Sequence, residues 1–249
     1  MTILMQTPDT VFLYVFDRLA DWEIGFATAH LNRFDGQFLR SRYRVRTVGE
    51  SRDPIVTMGG LRVRPDSALD EVESNATALL ILPGGLGWDD GGHQAALALA
   101  GRLLAARVPV AGICGATAGL ARAGFLDARA HTSNHPGYLQ ATGYAGAAHY
   151  RDQRAVTDQG VITAGATGAL AFAREIFRIL ALYPPDVIDA WHGLYETGEA
   201  RYIGPLMAAA GAGVTSAERS LERSPERSAD RSGKRPGERP DDQSMATAR

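Results

Sequence analysis

A single cysteine excludes an internal disulfide, and with it the disulfide-held scaffolds of small secreted domains. A dominant charge is missing as well. The 26 basic and 28 acidic residues leave a formal charge of −2, too little to gather a polyanion, so no nucleic-acid partner is expected. Long apolar runs are also absent. The most apolar stretches, 76–82 and 95–113, fall short of the roughly 18 uninterrupted residues of a membrane span, and Arg102 and Arg107 break the second. No membrane partner is expected. No basic residue precedes Arg18, so the n-region of a secretory signal is lacking and a cytoplasmic location is the expectation.

Nucleotide signatures are missing too. There is no Gly-Lys-Ser/Thr of a phosphate loop, and Gly85-x-Gly87 runs on to Asp90 where a dinucleotide fingerprint needs its third glycine. His131 and His135 have i, i+4 spacing, but Pro136 biases His135 away from helical backbone, and no third ligand type lies nearby. Neither a cofactor nor a metal is expected.

Composition shifts after Gly213. From Ala217 to Pro240 the chain repeats a four-residue unit of the form Ala-Glu-Arg-Ser, and residues 213–249 hold 8 basic and 7 acidic residues and no aromatic. So few apolar side chains cannot offset the entropy of ordering, so 213–249 reads as a disordered charged tail behind a single domain at 1–212.

Within that domain, short apolar runs alternate with helical patterns. Strands are predicted at 10–16, 43–48, 78–82, 108–113 and 161–164, and helices at 21–33, 93–106, 116–123, 168–182 and 185–197, with Thr167 capping the fourth. Strands separated by helices imply right-handed crossovers, giving a three-layer α/β sandwich, a mainly parallel sheet with helices on both faces. Such sheets bind ligands beyond the carboxyl ends of their strands.

Three segments at those ends carry chemistry. One predicted strand runs into a helix at Cys114, between Gly112 and Gly115, which needs the tight turn of a nucleophile elbow. A thiol over a helix start is expected to ionise below the ordinary thiol range. The Gly84-Gly85 turn and Gly115 offer backbone N–H groups for developing negative charge. Glu23 opens the first helix, and a carboxyl useful to a thiol there must be protonated or exchange protons with substrate. His135, held extended by Pro136, is the candidate base.

The segments Leu13-Tyr-Val-Phe16 through Ala20-Asp-Trp-Glu23, Leu80-Ile-Leu-Pro-Gly-Gly85, Ala111-Gly-Ile-Cys-Gly-Ala-Thr117, Asn134-His-Pro136 and Gly160-Val-Ile-Thr-Ala-Gly165 resemble, in order and spacing, the ThiJ/PfpI superfamily. The resemblance spans about residues 10–182. It implies a flavodoxin-like, class I glutamine amidotransferase-like fold, with Cys114 as nucleophile, Glu23 as the carboxyl donating to it, Gly85 and Gly115 as the oxyanion-site amides, His135 as the adjacent imidazole, and often a homodimer. PfpI-type peptidases carry Cys-His at the elbow, whereas Gly115 follows Cys114 here, so peptidase activity is not expected. The late His-Pro-Glu of glutamine amidotransferases has no match in Trp191-His192-Gly-Leu-Tyr-Glu196. The expectation is a cysteine-dependent small-molecule hydrolase, hydratase or lyase acting on a reactive aldehyde, amide or isonitrile. The alternative is a non-catalytic oxidative-stress protein that uses oxidation of Cys114.

Overall fold

The computed structural model describes residues 8–32, 39 and 41–211; the predicted tail at 213–249 lies outside the described residues. Nine strands are described: β1 (Thr10–Tyr14), β2 (Arg44–Gly49), β3 (Ile55–Val56), β4 (Arg62–Val63), β5 (Ser67–Ala68), β6 (Thr77–Leu82), β7 (Val110–Ile113), β8 (Ala155–Asp158) and β9 (Val161–Ala164). The helices are α1 (Asp21–Leu31), α2 (Gln94–Ala105), α3 (Gly115–Arg122), α4 (Pro136–Gln140), α5 (Ala169–Ile179) and α6 (Pro185–Thr197).

Seven strands form one sheet in the order β5-β2-β1-β6-β7-β9-β8, parallel except for the β8–β9 pair. β3 and β4 make a separate antiparallel hairpin. Central strands covered on both faces should be apolar at consecutive positions, and Leu79 to Leu82 of β6 and Val110 to Ile113 of β7 are buried without alternation. α5 turns Ala169, Phe172, Ala173 and Ile176 inward and packs against α1 and α6. α6 starts with Pro185 in its first turn and stops at Gly198, whose left-handed backbone (φ 72°) closes the helix.

The predicted elements are all present, with bounds moved by a few residues. The cap of α5 differs: Gly168 holds that position, because residues 166–168 already form a 3₁₀ turn closed by Gly168 N–H to Gly165 O at 2.8 Å. β3, β4, β5, β8 and α4 were not foreseen, since two to five residues cannot show a hydrophobic period. Among the described residues, no helix is long and apolar enough to cross a membrane.

Candidate active site

The carboxyl ends of β1, β6, β7 and β9 open onto one edge of the sheet, and each is followed by a segment that contributes to a common site. β1 leads into α1 and Glu23, β6 into Pro83-Gly84-Gly85, β7 directly into Cys114, and β9 into Gly165.

Cys114 has φ 55° and ψ −121°, a backbone region that L-residues avoid, at a cost of about 1–3 kcal/mol. Its neighbours impose the pose. Cys114 N–H donates to Ala164 O at 2.9 Å, while Cys114 O accepts from Thr117 N–H at 3.1 Å and Thr117 Oγ1 at 2.6 Å. Having given away its one hydroxyl proton, Thr117 accepts from Ser133 Oγ at 2.6 Å.

The thiol meets the other two segments at Gly84. A methyl on Gly84 would stand 2.7 Å from Cys114 Cβ, 3.0 Å from its Sγ and 2.7 Å from Glu23 Oε2, so only glycine allows this approach. Glu23 is fully buried. Its Oε2 accepts from Gly84 N–H at 2.7 Å, and its Oε1 is buried with no hydrogen-bond partner. Burial raises the Glu23 pKa against the opposing bonds from Cys114 and Gly84. An oxygen shut off from water and donors leaves a carboxylate poorly solvated, which is the physical cause of that upward shift.

The expectation of an acidic thiol is overturned. Burial, then the charge and hydrogen bond of Glu23, push the Cys114 thiol up to about 12, outweighing donation from Asn134 and Gly115 N–H. The helix start does favour thiolate, but a dry pocket shared with a carboxyl outweighs it.

Gly84 also departs from its expected role. Its N–H is engaged by Glu23 and is closed to an oxyanion. Gly115 N–H points toward the sulfur, while Gly85 N–H has no protein acceptor among the described residues. Gly85 turns the loop with φ 149°, and Leu86 N–H and Ala20 N–H tie the loop to the segment before α1.

His135 follows the Asn134 that reaches the thiol, but its own side chain makes no hydrogen bond to Sγ or to Glu23 among the described residues. It is exposed and caps α4, its Nδ1 accepting from Tyr138 N–H at 3.1 Å, and no histidine is hydrogen-bonded to Sγ among the described residues. The neighbouring Asn134, which sequence reasoning passed over, reaches the thiol instead: Nδ2 donates to Sγ at 3.6 Å and Oδ1 accepts from Ala166 N–H at 2.9 Å. Tyr138 was also missed. Its hydroxyl donates to Asp89 Oδ1 at 2.5 Å, and its pKa is raised by burial first, then by Asp89 and Cys114. Arg122 donates to the carbonyls of Trp88 and Asp89, so the loop after β6 is clamped to both α3 and α4.

Three of the other histidines are held by hydrogen bonds within the fold. His131 is buried between Arg129 O (2.7 Å) and Tyr144 Oη (3.0 Å), and burial lowers its pKa. His93 donates from Nε2 to Leu86 O at 2.8 Å, bonds Tyr14 Oη through Nδ1 at 2.9 Å, and stacks near Phe16 and Trp88. His30, in the last turn of α1, accepts from Trp191 Nε1 at 2.9 Å. No group of three or more potential metal ligands occurs among the described residues.

Comparison with known proteins adds a lineage to this geometry. The DJ-1/PfpI family pattern matches residues 9–179. The Bacillus subtilis (strain 168) protein named "Uncharacterized protease YoaZ" is 38% identical over 208 residues, which is 82% of this chain and 98% of that protein. A crystal structure of a thiJ/pfpI family protein from Bacillus anthracis is 38% identical with a TM-score of 0.74, covering 81% of this chain and 97% of that one. The DJ-1 superfamily protein Atu0886 from Agrobacterium tumefaciens is 32% identical with a TM-score of 0.67, covering 75% and 96%.

Proposed function

The chain belongs to the DJ-1/PfpI family, and from that premise we propose that it is a cysteine-dependent enzyme in which Cys114 attacks an electrophilic carbon of a small molecule, an aldehyde, amide or isonitrile. The observation that carries this reading is the Cys114 backbone at φ 55° and ψ −121°, held with its sulfur against Gly84 and the buried Glu23. Strain of this kind at a strand end supports a nucleophile better than a structural cysteine.

In this reading Sγ forms a bond to the electrophilic carbon as the thiol proton passes to Glu23. The developing oxyanion takes hydrogen bonds from Gly85 and Gly115. An aldehyde then gives a thiohemiacetal. An amide gives a thioester as Glu23 returns the proton to the departing amine, and water completes hydrolysis. Glu23 takes the proton role that the sequence offered to His135, because the carboxyl is hydrogen-bonded to the thiol while the imidazole Nδ1 is engaged by Tyr138 N–H.

The YoaZ relative is named a protease. In this chain Gly115 follows Cys114 and no imidazole bonds the sulfur among the described residues, which supports a small-molecule substrate over a peptide. The oxidation-sensing alternative needs the same ionised sulfur, and burial beside Glu23 opposes ionisation in both readings; substrate turnover lost in Cys114→Ser separates them. The homodimer reading is supported by the exposed Trp22, Met58, Leu61 and Leu86, apolar side chains on α1, on the β3–β4 hairpin and beside Gly85.

The test is turnover of aldehydes, amides, isonitriles and a peptide by the wild-type protein and by Cys114→Ser. Turnover of at least one small molecule that falls by about a hundredfold or more in the variant is expected. Equal turnover by both proteins, or cleavage of the peptide alone, overturns the reading.

A further inference from the structure

Beside Asn134 lies a cleft of about 500 Å³ whose purpose the attack by Cys114 leaves unexplained. Ser133, Asn134, Asp152, Arg154, Gly165 and Thr167 are among its lining residues. Asn134 joins it to the nucleophile, because the side chain that donates to Sγ is pinned at its other end by Ala166 N–H on the cleft wall. Ser133 also belongs to both places, since its hydroxyl bonds the Thr117 that fixes the Cys114 carbonyl. A molecule reacting at Sγ therefore has one substituent next to this cleft.

Two charged side chains line it, and they do not neutralise each other. Among the described residues neither Asp152 nor Arg154 forms an ion pair. The guanidinium of Arg154 is steadied by one long hydrogen bond, Nη1 to Thr167 O at 3.5 Å, which leaves most of its donors unused. A planar fork of N–H donors in a cleft matches a carboxylate bidentately. Asp152 opposes such a guest, so the two residues set the charge preference of the cleft between them.

We propose that this cleft is the subsite for a carboxylate carried by the electrophile that Cys114 attacks, with Arg154 as the residue that holds it. The inference rests on the nucleophile reading above and narrows its substrate class to small anionic electrophiles. Arg154 is a specificity residue and takes no part in bond making.

Two alkylating agents of nearly the same size isolate this effect. Iodoacetate carries the carboxylate and iodoacetamide is neutral. In each, the sulfur forms a bond to the methylene carbon, iodide leaves with the bonding pair, and the thiol proton is lost to the pocket or to solvent. The ratio of the two rates at Cys114, read by mass of the intact protein, cancels thiol ionisation and reports only on the charge of the reagent. Expected is a ratio that falls about tenfold in Arg154→Ala, is partly restored in Arg154→Lys, and rises in Asp152→Asn, with the iodoacetamide rate nearly constant throughout. A ratio equal in wild type and Arg154→Ala overturns the subsite. That result is separable from failure of the nucleophile reading, which shows as unchanged substrate turnover in Cys114→Ser while the alkylation ratio can still depend on Arg154.

Discussion

Glu23 places a pH signature on the molecule. Its pKa is raised by burial, so the folded state binds a proton more tightly than the unfolded chain, and the stability this contributes is fully present below the unfolded value near 4.5 and is lost as pH rises through the folded value. Glu23→Gln keeps an acceptor for Gly84 N–H and removes the charge. At pH 7 it is expected to raise the melting temperature, by about 2–4 °C for each kcal/mol released, with the gain vanishing below pH 4; a variant less stable than wild type at pH 7 contradicts this account. Because the carboxylate is also one cause of the high thiol pKa, the same variant should reach half its maximal alkylation rate at lower pH than wild type. Asn134→Ala should move that midpoint up, since it removes a donor to sulfur, whereas His135→Ala should leave it in place and cost only a helix cap of about 1 kcal/mol. Cys114 and Glu23 were legible in the sequence because a strand ending at a glycine-flanked cysteine and a helix-opening carboxyl are local patterns. Asn134 was not, because its approach to residue 114 exists only in three dimensions and its neighbour His135 carries the more recognisable chemistry.

At the scale of elements, glycines in two helices should respond oppositely to the same change. Gly119 in α3 has Trp88 over it: an added methyl would stand 2.5 Å from Cε3, and Trp88 is fully buried with its Nε1 bonded to Pro83 O at 2.9 Å. The helical gain of about 1 kcal/mol on replacing glycine by alanine is then outweighed by about 1–3 kcal/mol of overpacking. Gly119→Ala should lower the urea midpoint at constant slope. Gly25 in α1 has nothing within 4 Å of the added methyl, so Gly25→Ala should raise the midpoint instead. The long elements were predictable from period and run length, as α5 and β6 show. The β3–β4 hairpin was not: Ile55-Val56 and Arg62-Val63 are too short to carry a pattern, and their position follows from bonds such as Arg18 N–H to Val56 O and Gly59 N–H to Asp21 Oδ2.

For the molecule as a whole, the buried apolar core among the described residues begins at Val11 and ends at Leu206. A chain ending at Gly213 retains every one of those side chains. It is therefore expected to melt within about 1 °C of the full-length protein by circular dichroism, and a loss of several degrees would place part of residues 214–249 on the domain. The parallel order of the sheet was legible from the alternation of strands and helices, whereas the antiparallel β8 at its edge was hidden in a four-residue run between Arg154 and Gln159.

Trp88 offers one more use. Of the three tryptophans, Trp22 is exposed, Trp191 lies in the aromatic cluster with His30, and Trp88 alone has its ring against Gly115, the residue that follows Cys114. An indole sealed from water emits toward the blue, and a heavy or charged atom fixed nearby quenches it. With Trp22 and Trp191 replaced by phenylalanine, the remaining emission becomes an optical gauge of Cys114, able to time the arrival and departure of an adduct without a chromogenic substrate.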